Sequence, residues 1–427
     1  MRGAPTVAER LFDATGAVLG GQQLPVRIRA WDGSTAGPPG APTIVVRSPR
    51  ALRRLLWAPG EVGLGRAYVA GDIDLEGDVL ELFAVLSSDG PLSRSAVPHR
   101  VTTRDRVELA RSAVALRAVG PPPSPPPEEI SRPRRRHLHT RDRDARAVGH
   151  HYDVGNDFYS LVLGPSLVYS CAVWAGDDVD LDAAQEAKLD LVCRKLGLAP
   201  GMRLLDVGCG WGSMALHAAR RYGADVVGVT VSAEQAGLAR QRVAEAGLGD
   251  RVTIRMQDYR DVDDGPFDAV SSIGMAEHVG RDRMPEYVDV LCRALRPGGR
   301  LLHHAIAWSG ADTGGPGDSF ITRYVFPDGE LLRLAETVAA LEGGGLEVLD
   351  VEALRRHYAL TLRAWVERLE KNWDAAVGLA GAGRARVWRL YMAGSALAFE
   401  TGKLGVNQVL AQRPGGEPPP LRRTDWI

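Results

Sequence analysis

LLDVGCGWG (204–212) runs from an apolar stretch through Asp206 into glycines at 208, 210 and 212. Glycine suits a backbone that must pass close to a ligand, since a side chain would block the approach, and the start of a following helix offers free N–H groups. The spacing is GxGxG and departs from the dinucleotide fingerprint GxGxxG, which argues against NAD or FAD. Around it, short apolar runs alternate with helical stretches: MRLLDV (202–207), MALHAARRYG (214–223), DVVGVTV (225–231), AEQAGLARQRVAEAG (233–247), RVTIRMQ (251–257), FDAVSSI (267–273), EYVDVLCRALRPGG (286–299) and RLLHHAIA (300–307). Strand, helix and strand in repetition predict an α/β fold with a parallel sheet covered on both faces. Ligands of such sheets bind beyond the carboxyl ends of the strands, so the chemistry is expected in the segments that follow residues 206, 230, 256, 273 and 305.

The 427 residues carry 52 Lys+Arg against 53 Asp+Glu, and the net charge of −1 excludes a globally basic nucleic-acid binder. A hydrophobic content of 45% is that of an ordinary globular protein, with room for two or three domains. Cys171, Cys193, Cys209 and Cys292 form no CxxC pair, which points to reduced thiols in a cytoplasmic compartment. The opening MRGAPTVAERLFDATG lacks the apolar stretch of a signal peptide, and no run approaches the roughly 20 apolar residues of a spanning helix. Membrane contact is therefore expected to be peripheral.

Upstream, LPVRIRA (24–30) places Val26, Ile28 and Ala30 on one side of a strand, and TIVVRS (43–48) is a second short strand ahead of a helix start at Ser48–Pro49. RALRRLLW (50–57) sets Leu52, Leu55 and Leu56 on one helix face, and DVLELFAVL (78–86) offers another apolar stripe; both read as core-facing, with a lipid-facing or dimerising surface as the second reading. These make residues 1–120 a small α+β domain. PPPSPPP (121–127) is a stiff extended spacer. The segment 132–146 carries seven Arg and two Asp, a local charge of +5, and is either a solvated linker or an attachment to an anionic lipid surface; it has no aromatic residues for stacking bases. The linker is set at 121–146, the main catalytic domain at 147–412 and a tail at 413–427.

The glycine loop resembles that of class I methyltransferases, which bind S-adenosyl-L-methionine (SAM), with Asp206 as the acid before the glycines. Many such enzymes have an acid at the end of the second strand, where this chain has Thr230. Gln235 can take over that role, although Ser232 and Gln235 also form an S-x-x-Q capping box that accounts for both. Gln257 and Asp258 stand where an adenine edge is commonly read, or are simple strand-end polar residues. HYDVGNDFYSLVLGPSLVYSCAVW (151–174), GMAEHVG (274–280) and HYALTLRAW (357–365) narrow the reading: together they resemble the cyclopropane-fatty-acid synthase and mycolic-acid methyltransferase family over about residues 130–412. GLGRAYVAGDIDLEGD (63–78) is similar to the amino-terminal domain of its full-length phospholipid-modifying members. The resemblance implies a Rossmann-like class I methyltransferase sheet with helical lipid-site additions. It implies SAM contacts from Tyr152, Tyr169, Ser170, Gly208, Gly210, Thr230, Gln235, Gln257 and Asp258, joined by Asp206 and Gly212 of the loop. It also implies a bicarbonate ion held by Cys171, Glu277, His304, Ile306 and Tyr358, the cysteine and isoleucine mainly through backbone groups.

Those residue types suit the chemistry. An isolated alkene is a poor nucleophile, and its methylation from a sulfonium generates a carbocation in the acyl chain. Aromatic faces stabilise such a cation without trapping it, and Tyr169, Tyr324, Phe326, Tyr358 and Trp365 are the candidates. A weak base must then accept a proton, a task for an anion held by Glu277, His304 and Tyr358. Taken singly, Glu277 and His278 are also a helix-start polar pair, Tyr358 a core aromatic and Cys171 a small buried hydrophobe. His137, His139, His150 and His151 lack nearby cysteines and sit in an Arg-rich segment, so no metal is expected. The expected enzyme adds a one-carbon unit to the double bond of an unsaturated phospholipid acyl chain, giving a cyclopropane, while peripherally attached to the inner face of the cell membrane. A methylene product with a reductase partner is the alternative, because GPSLVYSCAVW (164–174) and YVFPDG (324–329) look like actinobacterial relatives. A homodimer is compatible with the amino-terminal domain, and small-molecule N-methylation is the more remote alternative.

Overall fold

Each apolar run read as a strand beyond residue 200 takes its place in one sheet. Its strands are β5 (Arg203–Val207), β6 (Asp225–Thr230), β7 (Val252–Met256), β8 (Phe267–Ile273), β9 (Leu295–Trp308), β11 (Glu347–Ala353) and β12 (Leu404–Gln412), with β10 (Leu332–Arg333) paired to the end of β9. The order is β11-β12-β9-β8-β5-β6-β7. Strands β5 to β9 are parallel, whereas β12 lies antiparallel to both β9 and β11. The chain reverses its direction of travel across the sheet at β5, and a crevice opens there at the carboxyl ends. These observations come from a computed structural model that describes residues 4–18, 25–58, 60–88, 103–130, 141, 154–176, 178–310 and 319–425. Tyr152 and, apart from Arg141, the basic segment 132–146 fall outside them.

Alternation along the strands builds two cores. Leu204, Leu302 and Leu410 face one side, against Val192, Ala215, Ala218 and Ala236 of the covering helices. Leu205, Val207, Val270, Leu301 and Val409 face the other, against Tyr287, Leu291 and Leu341. Each fully buried leucine contributes about 1.5–3 kcal/mol, so the sheet is held from both faces. No described helix is long and apolar enough to cross a membrane.

The chain divides into two compact units. One contains 1–131 together with Asp318–Val325 and Trp373–Leu397; the other contains Arg132–Gly317, Phe326–Asn372 and Ala398–Ile427. The first unit therefore takes in two pieces from within the stretch 147–412. Its sheet has the order β2-β1-β3-β4, from β1 (Arg27–Arg29), β2 (Thr35–Ala36), β3 (Thr43–Val46) and β4 (Ile73–Glu76). Val26, Ile28 and Ala30 are buried together, as the alternation predicts. Helix Arg50–Trp57 differs from expectation. It buries Ala51 and Arg54, while Leu56 and Trp57 are 42% and 59% exposed. Arg54 goes inward because Asp72, itself 1% exposed, accepts its Nε–H at 2.9 Å and the Ser124 carbonyl accepts Nη1 at 2.7 Å.

Candidate functional site

The crevice at the carboxyl ends of β5 to β8 is lined by the loops that follow those strands. Gly208 and Gly210 line it, and Gly210 has φ +53°, a conformation that favours glycine. A β-carbon at 210 would come no closer than 4.0 Å to any atom, so the bare backbone borders open space. Gly212 lies off this lining. A β-carbon there would meet that of Ala239 at 3.3 Å, so its smallness serves the approach of helix Ala233–Glu245.

Asp206, one residue before the end of β5, lies at the floor of the crevice, 2% exposed. Ser271 donates to its Oδ1 at 2.7 Å, and Oδ2 has no partner among the described residues. Burial pushes this carboxyl up to about 6, against the pull of the Ser271 hydrogen bond and of Lys188. Lys188, on helix Leu181–Leu196, is buried in the same wall and donates to Ser170 Oγ at 3.0 Å. Burial lowers its ammonium to about 8, opposed by Cys171 and Asp206. Ser232 caps helix Ala233–Glu245 by accepting from Gln235 N at 3.3 Å, while Thr230 Oγ1 donates to Gln235 Oε1 at 2.9 Å. Ser232 thus acts as the cap, whereas the Gln235 side chain turns to Thr230 and the crevice instead of closing the box. Gln257 donates to the Asp261 carbonyl at 2.7 Å. Asp258 is paired with Arg260 at 2.6 Å; burial works to raise its carboxyl, but the Arg260 hydrogen bonds outweigh it and hold the group below the usual range.

Tyr169, Ser170, Asp206, Gly208, Gly210, Thr230, Gln235, Gln257 and Asp258 all line this one crevice. An open backbone at Gly210, a buried carboxylate oxygen without a partner and polar groups at three successive strand ends fit a ligand with the amine, hydroxyls and base edge of SAM. Reading the sequence missed Lys188. Its signal was a lysine on the buried face of an otherwise apolar stripe, in register with Gln185 and Lys195.

A second cluster is joined by short steps. The Ile306 N–H donates to Glu277 Oε1 at 2.7 Å. Ile306 pairs with Val406 across β9 and β12, and the Val406 carbonyl accepts from Leu354 N at 2.8 Å. The Leu354 carbonyl in turn accepts from Tyr358 N at 3.1 Å and from the Cys171 thiol at 3.7 Å. His304 lies two residues before Ile306 on β9, on the same face of the strand. Burial pushes Glu277 up to about 7, with the Ile306 hydrogen bond acting against the rise. Glu277 Oε2 and His304 Nε2 are buried without a partner among the described residues. An acceptor and an imidazole nitrogen left open in this way fit a small hydrogen-bonding anion such as bicarbonate.

Of the aromatic candidates, Tyr169 and Trp365 have ring centroids 5.4 Å apart, and Trp365 and Tyr358 meet edge to face at 6.1 Å. Phe326 packs against His278. Tyr324 belongs elsewhere: it stacks on Phe320 at 4.8 Å and donates to Glu129 at 3.2 Å within the first unit. His303 faces away from His304, toward Tyr287. Tyr152, His137, His139, His150 and His151 fall outside the described residues. Among the described residues no cluster of His, Cys, Asp and Glu is placed to hold a metal.

Residues 139–409 match the mycolic acid cyclopropane synthetase family. The chain is 44% identical over 413 residues to a probable fatty acid methyltransferase of Mycobacterium tuberculosis, covering 94% of this chain and 93% of that one. A tuberculostearic acid methyltransferase of the same organism is 35% identical over 432 residues, with 96% and 91% covered. A solved mycolic acid cyclopropane synthase, complexed with SAH and CTAB, is similar with a TM-score of 0.60 and 34% identity, covering 63% of this chain and 98% of that chain. With its sheet order, its glycine crevice and these relatives, the chain belongs to the mycolic acid cyclopropane synthetase family and is a SAM-dependent methyltransferase.

Proposed function

We propose that the enzyme adds a one-carbon unit to the double bond of an unsaturated fatty acyl chain of membrane phospholipid, through a carbocation, to give a cyclopropane fatty acid. The observation that carries this reading is a buried carboxyl and a buried imidazole, each with an open polar atom, in a unit that also sets three aromatic rings in series. Such a site suits a reacting centre that is apolar before reaction and cationic during it. SAM supplies the methyl group, already activated as a sulfonium. Asp206, Thr230, Gln235, Gln257 and Asp258 would hold it along the strand ends, with Lys188 bracing Ser170 from behind. Tyr169, Trp365 and Tyr358 present ring faces that stabilise positive charge and offer no nucleophile. Glu277, oriented by the Ile306 N–H, would hold a bicarbonate ion together with His304, Tyr358 and backbone at Cys171 and Ile306. Bound there, the ion supplies a weak base for the departing proton.

A methylene product is the second reading, favoured by the 44% and 35% identities to fatty acid and tuberculostearic acid methyltransferases over nearly the whole chain. Attachment to the membrane would fall to the amino-terminal unit and the basic segment 132–146. Leu56, Trp57 and Leu64 are exposed on that unit, with Arg50 close by in sequence. Purified enzyme is incubated with labelled SAM and oleoyl phospholipid vesicles, and the released fatty esters are analysed by mass spectrometry. Label in a ring supports the first reading and label in an exomethylene the second; an unlabelled acyl chain overturns both.

A further inference from the structure

A chain of hydrogen bonds leads from an ion cluster into His304, through residues to which the reading above gives no part. Gln408 on β12 stands directly opposite His304 on β9 in the antiparallel ladder, and both side chains are buried. Lys195, 1% exposed, donates from Nζ to Gln408 Oε1 at 2.7 Å. The other end of the same amide meets His304 Nδ1 at 3.3 Å. Behind Lys195 stand Glu352 and, at 3.9 Å, Asp350, and Arg423 pairs with the two acids at 3.0 and 3.5 Å.

The donor and acceptor inventory leaves one assignment for this chain. An ammonium has only protons to offer, so the amide turns its oxygen to Lys195 and its NH2 to His304. An amide NH2 only donates, so Nδ1 of His304 accepts. An uncharged imidazole that accepts at Nδ1 carries its proton on Nε2. Burial, with Lys188, His303 and Lys195 nearby, keeps His304 well below the usual histidine range and hence uncharged. Nε2 is the atom left without a partner among the described residues.

We propose that Lys195 and Gln408 are positioning residues that lock His304 as the Nε2–H tautomer, so that it donates a hydrogen bond to the anion beside it and never accepts a proton there. This rests on the reading of His304 as an anion ligand. Its consequence is a division of labour: His304 grips the ion, and the proton leaving the acyl chain goes to the ion alone.

The test uses full-length enzyme with histidine labelled by 15N in the ring and long-range 1H–15N spectra, the His304 signals being identified by their loss in His304→Asn. Wild type is expected to show His304 uncharged with its proton on Nε2 at pH 7. Gln408→Glu places an acceptor against Nδ1, so the proton is expected to move to Nδ1 or the ring to become charged. Turnover of labelled SAM into oleoyl phospholipid is then expected to fall roughly 10- to 100-fold with SAM affinity retained. A wild-type proton on Nδ1, an unchanged tautomer in Gln408→Glu, or a changed tautomer with undiminished turnover overturns the proposal. The wild-type spectrum decides even if the variant does not fold. Failure of the acyl-transfer reading is seen separately, as wild-type enzyme that labels no acyl chain; the tautomer measurements then judge the lock by themselves.

Discussion

Burial raises Glu277 to about 7 and Asp206 to about 6, so above pH 5 and until these values are passed the folded enzyme holds protons that its unfolded chain has already released. A carboxyl raised on folding contributes stability in full below its ordinary value near 4.5, and that contribution is lost as pH rises through the folded value. For Glu277 the loss between pH 5 and pH 9 is about 3 kcal/mol. Glu277→Gln removes the titration, so urea unfolding in bicarbonate-free buffer is expected to show the variant gaining on wild type by that amount from pH 5 to pH 9; a pH-independent difference would contradict the raised carboxyl. The same variant should bind SAM normally while turnover falls by about 100-fold or more. Asp206→Asn acts in the opposite way. It removes the charge from the open Oδ2, and calorimetry is expected to show SAM binding weakened by at least about tenfold, the worth of one charge-assisted hydrogen bond.

Among the elements, the turn from β6 into helix Ala233–Glu245 joins fold and site most directly. Ser232 satisfies one free N–H of the first turn, that of Gln235, whose side chain in turn holds Thr230. Ser232→Ala is expected to cost about 1 kcal/mol, read as a lowered Tm. Strands β5 to β9 were legible in the sequence because strand and helix periods alternate there without interruption. Strands β11 and β12 were not. Asn407 and Gln408 interrupt the apolar run of β12, and Asp350 and Glu352 give β11 the look of a loop until Lys195 and Arg423 are seen opposite them. The same limit applies to helices. In Arg50–Trp57 the leucines form the apolar stripe, yet Arg54 is buried, because its partner Asp72 is distant in sequence and hydrophobic period carries no record of it. Most of the crevice lining could be read because its residues follow strand ends, whereas Lys188 and Gln408 stand in the middle of elements that otherwise look like core.

For the molecule as a whole, the two units respond to different changes. Asp72, 1% exposed, holds both Arg50 and Arg54 in the first unit. Asp72→Ala leaves Arg54 buried without its counter-charge and is expected to destabilise that unit by about 3–5 kcal/mol, seen as an earlier urea transition while SAM binding persists. The segment 132–146 belongs to a different experiment. Replacing Arg134, Arg135 and Arg136 by Gln is expected to weaken sedimentation with anionic vesicles, each arginine contributing on the order of 1 kcal/mol, and added salt should reduce the wild type toward the variant.

The interleaved course of the chain also bears on its synthesis. The first unit needs Asp318–Val325 and Trp373–Leu397, which the ribosome delivers long after residue 131. At about 5–20 residues per second, the amino-terminal sheet waits roughly 13–55 s for its last helices. During that interval Glu61, Tyr68 and Asp74 lack their partners Phe320, Arg386 and Arg389, so a nascent chain stalled before Leu397 should engage chaperones and be readily cut by proteases within its first 130 residues.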